Sequence, residues 1–139
     1  MKAVKIAGIL LFIYILLVAA FESLLGYYQP EGARTVVITT TDADGDAHDR
    51  VLTALSSGGQ LYVAVNHWPR AWYRRVLKNP KVQITRQSDG TTETRDYLAV
   101  PVSGEERGRV ARENPTSIRF RIQTGFPPRH FIRLDPSAE

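Results

Sequence analysis

Cysteine is absent from the 139-residue chain, and that one absence removes several kinds of chemistry. Without it there is no disulfide scaffold, thiolate zinc site, iron–sulfur cluster or cysteine nucleophile. Also missing are a G-x-S-x-G elbow, a Walker loop and a G-x-G-x-x-G turn, so hydrolase and nucleoside-triphosphatase readings lack a motif. Histidine occurs three times, as His48, His67 and His130, and no two have the spacing of a zinc helix, so no metal site is expected. Acidic residues are lacking from Val51 through Ser88, a stretch that carries Arg70, Arg74, Arg75, Lys78, Lys81 and Arg86. The net charge is nevertheless only +4, which does not suggest a nucleic-acid binder, since affinity there needs many phosphates neutralised by one face. A 43% hydrophobic content is too high for a disordered chain, and the length allows one compact domain rather than two.

What is present begins with a long apolar run. Ile6 through Phe21 is uninterrupted, and the run continues past Glu22 and Ser23 to Leu25. About twenty residues at about 1.5 Å each give roughly 30 Å, the thickness of a hydrocarbon core. Val18-Ala19-Ala20 is compatible with signal cleavage, but the run is long for the apolar region of a signal peptide, so a retained anchor is the reading adopted. Lys2 and Lys5 precede the run and Tyr27-Tyr28 follow it at interfacial depth. The positive-inside bias then puts the N-terminus in the cytoplasm and the remaining domain outside it. The expected division is an anchor over residues 1–28, a linker over 29–34 around Pro30-Glu31-Gly32, and a single domain over 35–139.

Within that domain the hydrophobic period predicts mainly strands. Thr35–Thr41 is β-branched almost throughout, and Asp42–Gly45 is a hairpin turn. His48–Leu55 and Leu61–Asn66 complete a three-strand meander. From Pro69 to Asn79 the period changes to that of a helix, with Trp72, Val76 and Leu77 on one side, and Pro80 stops it. Strands follow at Lys81–Arg86 and Thr92–Val102. Ser103 with Glu106 forms a capping-box pattern ahead of a helix ended by Pro115. A short helix over Ser117–Thr124 and a final strand at Arg129–Leu134 close the chain. Six strands in hairpin order, with helices between them, predict a mainly β, α+β fold: a small antiparallel barrel with helices packed on it.

Two features of this pattern bear on chemistry. Arg70 stands where a helix follows a strand, and backbone N–H groups there, with a guanidinium, suit a phosphate. A basic helix face, solvated or lying on anionic lipid, accounts for the same charges. His67 and Trp68 occupy the strand–helix corner, His67 as a weak candidate proton donor or pocket wall and Trp68 as a flat ring surface. The acidic loop Asp42-Ala43-Asp44-Gly45-Asp46 lacks the glycine position and the twelfth-position acid of a calcium loop, so turn chemistry explains it.

The stretches TTTDADGDAHDRVL and GGQLYVAVNHWPRAWYRRVLKNPKVQI together resemble the split β-barrel superfamily of flavin and deazaflavin oxidoreductases. This superfamily includes the pyridoxamine-phosphate-oxidase-like proteins, and the closer resemblance is to its deazaflavin-dependent nitroreductase and quinone reductase family. The resemblance implies a six-stranded antiparallel split β-barrel behind one N-terminal transmembrane helix. It implies a cofactor phosphate held by Arg50 and Arg70, with Lys78 as a further contact, and a ring-binding corner at Asn66, His67 and Trp68. The implied cofactor is a deazaflavin coenzyme or FMN, and the implied assembly a homodimer. Hydride would pass to a nitro-type acceptor or, beside a bilayer, to a quinone. Two residue patterns depart from the family: its basic first hairpin is acidic here, and the Arg-Lys step of flavin-binding relatives is Arg70-Ala71. Two other readings of the fold remain, a non-catalytic barrel that binds a ligand or partner at the membrane, and a haem-binding barrel with His48, His67 or His130 as axial ligand.

Overall fold

A computed structural model describes residues 1–27, 34–66 and 70–137, and the order of elements is α1 (Lys2–Tyr27), β1 (Thr35–Thr41), β2 (Ala47–Ser57), β3 (Gln60–Val65), α2 (Ala71–Lys78), β4 (Lys81–Ser88), β5 (Thr91–Pro101), α3 (Gly104–Glu113), α4 (Ile118–Gln123) and β6 (His130–Pro136). The chain divides into two units. One joins Met1–Tyr28 to Thr116–Pro127, and the other joins Gln29–Pro115 to Pro128–Glu139. The expected linker at Pro30-Glu31-Gly32 lies outside the described residues.

The larger unit is a closed antiparallel barrel in the order β1-β2-β3-β6-β5-β4. Alternation along each strand builds its interior. Val36 and Ile38 of β1, Val63 and Val65 of β3, Val82 and Ile84 of β4, and Ile132 and Leu134 of β6 meet in one core. Helix α2 adds Trp72 and Val76 to that core, and burying a side chain such as Val76 is worth roughly 1.5–3 kcal/mol. The opposite faces of β3 and β6 turn outward, where Tyr62 and Phe131 form a second cluster with Val110 of α3. One helix therefore serves the interior and the other the outer wall.

The first hairpin turns as the acidic loop requires. One carboxylate oxygen of Asp42 accepts from the N–H groups of Asp44 and Asp46, each at 3.0 Å, and Gly45 takes a positive φ of 90°. The other oxygen lies 2.7 Å from Nε2 of His48. Aspartate here is a local acceptor for turn amides.

The smaller unit contains the apolar helix. Its stretch Lys2–Leu25 is long and apolar enough to cross a membrane, and the most apolar 18-residue window within it contains no buried residue, whereas Glu22 near its end is buried. Helix α4 lies against it: the Tyr14 hydroxyl donates to the Ile122 carbonyl at 2.8 Å. A Cβ added at Gly125 would come within 2.9 Å of Val18 Cγ1, so only glycine allows the close approach there.

Candidate functional site

The site starts from a gap in the barrel wall. Strand β2 pairs with β1 over seven residue pairs, from Thr35↔Thr53 to Thr41↔Ala47. Its ladder with β3 ends at Ala54↔Val63, although β2 runs on to Ala47 and β3 to Val65. Beyond that point, among the described residues, the two strands part. Arg50 stands on the free stretch of β2, directly opposite Ile38. Paired residues share a face, and Ile38 is fully buried, so Arg50 lies on the inner side of the wall.

Arg70 stands at the head of α2, the helix that follows β3. It occupies the N-cap position of α2 in extended conformation, its side chain makes no cap bond, and its Nε is buried. Burial, and next the charge of Arg70, hold the Arg50 guanidinium below its ordinary value. Arg50 therefore feels the charge of Arg70 from the stretch of β2 beyond the end of its ladder with β3. Such an arrangement favours an anion between them, because guanidinium donors match phosphate oxygens and a bridging anion removes the mutual repulsion.

Helix α2 is moored where this placement needs it. Arg75 Nε donates to the buried Thr40 hydroxyl at 2.9 Å, and that hydroxyl lies 3.3 Å from the His48 carbonyl oxygen that it bonds. The Tyr73 ring stacks on His130 with centroids 5.5 Å apart and planes 16° apart, and it meets Trp72 edge-on at 6.0 Å. His130 pairs with Val65 at the end of β3. Aromatic surface from α2 and β6 thus flanks the end of the strand that leads to the corner.

The remaining expected residues divide. The carboxamide oxygen of Asn66 accepts from Arg129 Nε at 2.8 Å. Arg129 also donates to the Asn114 carbonyl at 2.9 Å and lies 4.8 Å over the Phe131 ring. Asn66 is in this way tied to the α3 end of the barrel. Lys78 is exposed in the last turn of α2, roughly 12 Å of helix rise from Arg70. His67 and Trp68 lie outside the described residues. His48, one of the haem-ligand candidates, faces Asp42, and this contact is the main cause holding the Asp42 carboxyl below the usual carboxylate range.

A second polar cluster was not read from the sequence. Arg133 on β6 donates to both oxygens of Glu106 at 2.9 and 3.0 Å, and to both oxygens of Asp135 at 2.7 and 3.0 Å. The buried Tyr62 hydroxyl donates to Glu106 at 2.8 Å. These groups line a shallow cleft of about 550 Å³ with Gln60 and Arg109. Hydrogen bonds from Arg133 first, then from Tyr62, hold the Glu106 carboxyl below its ordinary range, and Asp135 and Glu106 raise Arg133. The capping box expected of Ser103 and Glu106 does not form: Ser103 is the N-cap of α3 but makes no side-chain cap bond. Two charge-assisted bonds to a guanidinium outweigh one bond to a backbone N–H, so Glu106 turns to the barrel. The Arg-x-Asp spacing of Arg133 and Asp135 on one strand face was the available signal.

No protein-family model matches the chain, and no curated protein does. Solved structures do match its fold. HutZ, the heme storage protein from Vibrio cholerae, is 19% identical, with a TM-score of 0.59 over 87% of this chain and 88% of its own. A putative pyridoxamine 5′-phosphate oxidase from Listeria innocua is 18% identical, with a TM-score of 0.55 over 86% of this chain and 90% of its own. An F420-H2 dependent reductase is 21% identical, with a TM-score of 0.51 over 73% of this chain and 94% of its own. The chain shares the fold of these structures, a six-stranded antiparallel split barrel, which is the fold that the resemblance in sequence implied.

Proposed function

We propose that this split barrel is a membrane-anchored oxidoreductase of the nitroreductase and quinone reductase type, holding a flavin-type cofactor by its phosphate at Arg50 and Arg70. The observation that supports the reading is that Arg50, on the inner side of β2 beyond the end of the β2–β3 ladder, feels the charge of Arg70 at the head of α2. A bound deazaflavin or FMN would supply the hydride chemistry. The chain's own part is binding and placement. Arg50 and Arg70 grip the anionic end, away from any reacting atoms, so binding energy is used to position the ring. Thr40 and Arg75 keep α2, and with it Arg70, at a set distance from the wall. Tyr73 and His130 present flat surface beside the corner at which Asn66, His67 and Trp68 follow β3.

The reading extends to topology. Lys2 and Lys5 retain the N-terminus in the cytoplasm, and the barrel stands on the other side. Proximity to the bilayer raises the local concentration of an apolar acceptor such as a quinone. A homodimer is the expected assembly.

Titration of the full chain, held in detergent, with FMN and separately with a deazaflavin coenzyme tests the proposal by absorbance and fluorescence. Saturable uptake of either, lost at high phosphate, is the expected result. Uptake of neither overturns it, and an intense haem band on titration with haem alone would move the reading to the haem-binding alternative, with His48 or His130 as the next residues to replace.

A further inference from the structure

Helix α4 meets α1 at an unexpected level. The span Lys2–Leu25 has Tyr14 at its middle, and Tyr14 is the residue whose hydroxyl bonds the Ile122 carbonyl. Val18, one turn further along, is the residue that packs on Gly125. An unsatisfied hydroxyl at mid-span would be costly in hydrocarbon, and α4 supplies its acceptor. Close approach at a glycine is also the usual way in which helical segments pack inside lipid.

Segment Thr116–Pro127 has the surface that such a position needs. Ile118 is 63% exposed, Ile122 47% and Phe126 48%, side by side with an apolar helix whose large side chains Phe12, Ile15, Leu16 and Leu17 are also exposed. The segment reverses tightly: the Phe126 N–H bonds the Arg121 carbonyl at 2.9 Å and the Gly125 N–H bonds that of Ile122 at 3.3 Å. This is a glycine-terminated helix cap, and it satisfies carbonyls that lipid could not. Phe126 is held outward at a positive φ of 52°, with the Arg121 guanidinium 5.3 Å over its ring. Arg119 and Arg121 are exposed and have side chains long enough to reach phosphates from below the headgroups.

We propose that Thr116–Pro127 is a second membrane element, a re-entrant hairpin seated on the C-terminal half of α1 within one leaflet. Its occupant is the lipid bilayer: Ile118, Ile122 and Phe126 contact acyl chains, and Arg119 and Arg121 extend to anionic headgroups. Continuity with α1 and the paired cations argue for lipid over a protein partner. The inference rests on the anchor reading of α1.

The absence of native cysteine makes site-directed spin labelling of the full chain direct. Nitroxides at Ile122→Cys, at Leu16→Cys on α1 and at Asp89→Cys in the β4–β5 turn are compared in vesicles of phosphatidylcholine with phosphatidylglycerol. Depth is read from accessibility to oxygen against a water-soluble nickel complex. Position 122 is expected to read as buried in acyl chains, like position 16 and unlike position 89. A reading at 122 equal to that at 89, with 16 in lipid, overturns the hairpin and leaves the anchor standing. An aqueous reading at 16 overturns both. Arg119→Gln with Arg121→Gln should let position 122 read deeper, and an unchanged depth overturns the placement of the arginines.

Discussion

Two charge clusters on one barrel obey opposite rules. Around Arg133, cation meets anion: Glu106 and Asp135 each accept two bonds from one guanidinium, and Tyr62 completes the set. At the gap between β2 and β3, cation meets cation, and Arg50 is depressed in part by Arg70. The first cluster answers its own charge and ties α3 to β6. The second gathers charge of one sign where the wall is open. Mutual satisfaction is what a structural network looks like, whereas neighbouring like charges are an arrangement that an anionic ligand would stabilise.

Experiments that remove charge from each cluster should separate them, the largest effect coming first. Replacing both Arg50 and Arg70 by alanine should abolish measurable binding of a phosphate-bearing cofactor, while the melting temperature stays close to that of the parent. Titration followed by calorimetry reads both quantities, and retained affinity would place the phosphate elsewhere. Arg70→Ala alone should weaken binding by about 1.5–3 kcal/mol, or roughly 10- to 150-fold, the range for hydrogen bonds to charged groups. Glu106→Gln should do the reverse, with cofactor affinity unchanged and stability lower by about 1–2 kcal/mol in denaturant unfolding.

The smallest effect is on pH dependence. Glu106 titrates lower folded than unfolded, so its contribution is present above the ordinary glutamate value of 4.5 and is lost as pH falls through the depressed folded value. Acid unfolding of the Glu106→Gln variant should therefore be flatter below pH 4.5 than that of the parent. Parallel curves would mean that the network adds nothing to acid sensitivity. At the opening no comparable acid step is expected from Arg50, since a guanidinium stays charged across that range.

Much of the barrel was legible because its signals are local. The β-branched run Thr35–Thr41 and the Asp–Gly turn after it became β1 and its hairpin over those same residues. Lys81 and Thr91 begin β4 and β5 within a residue of expectation, because Pro80 and Asp89-Gly90 mark the breaks. Other features were local in appearance only. Ser103 and Glu106 carry a cap pattern, but Arg133 is 27 residues beyond Glu106 and takes its carboxylate. The segment Thr116–Pro127 reads as a link between α3 and β6, yet it groups with α1, more than a hundred residues earlier. Arg50 and Arg70 were visible as charges, while their approach depends on where the β2–β3 ladder stops.

Periodicity, turn residues and the length of an apolar run act between near neighbours in the chain, so the alternation of strands, the two barrel helices and a helix able to cross a membrane were determined by the sequence itself. Which charged groups meet was decided only in three dimensions. Register and barrel closure bring together groups that chain order leaves apart, and electrostatic energy depends on that distance and on how far water is excluded.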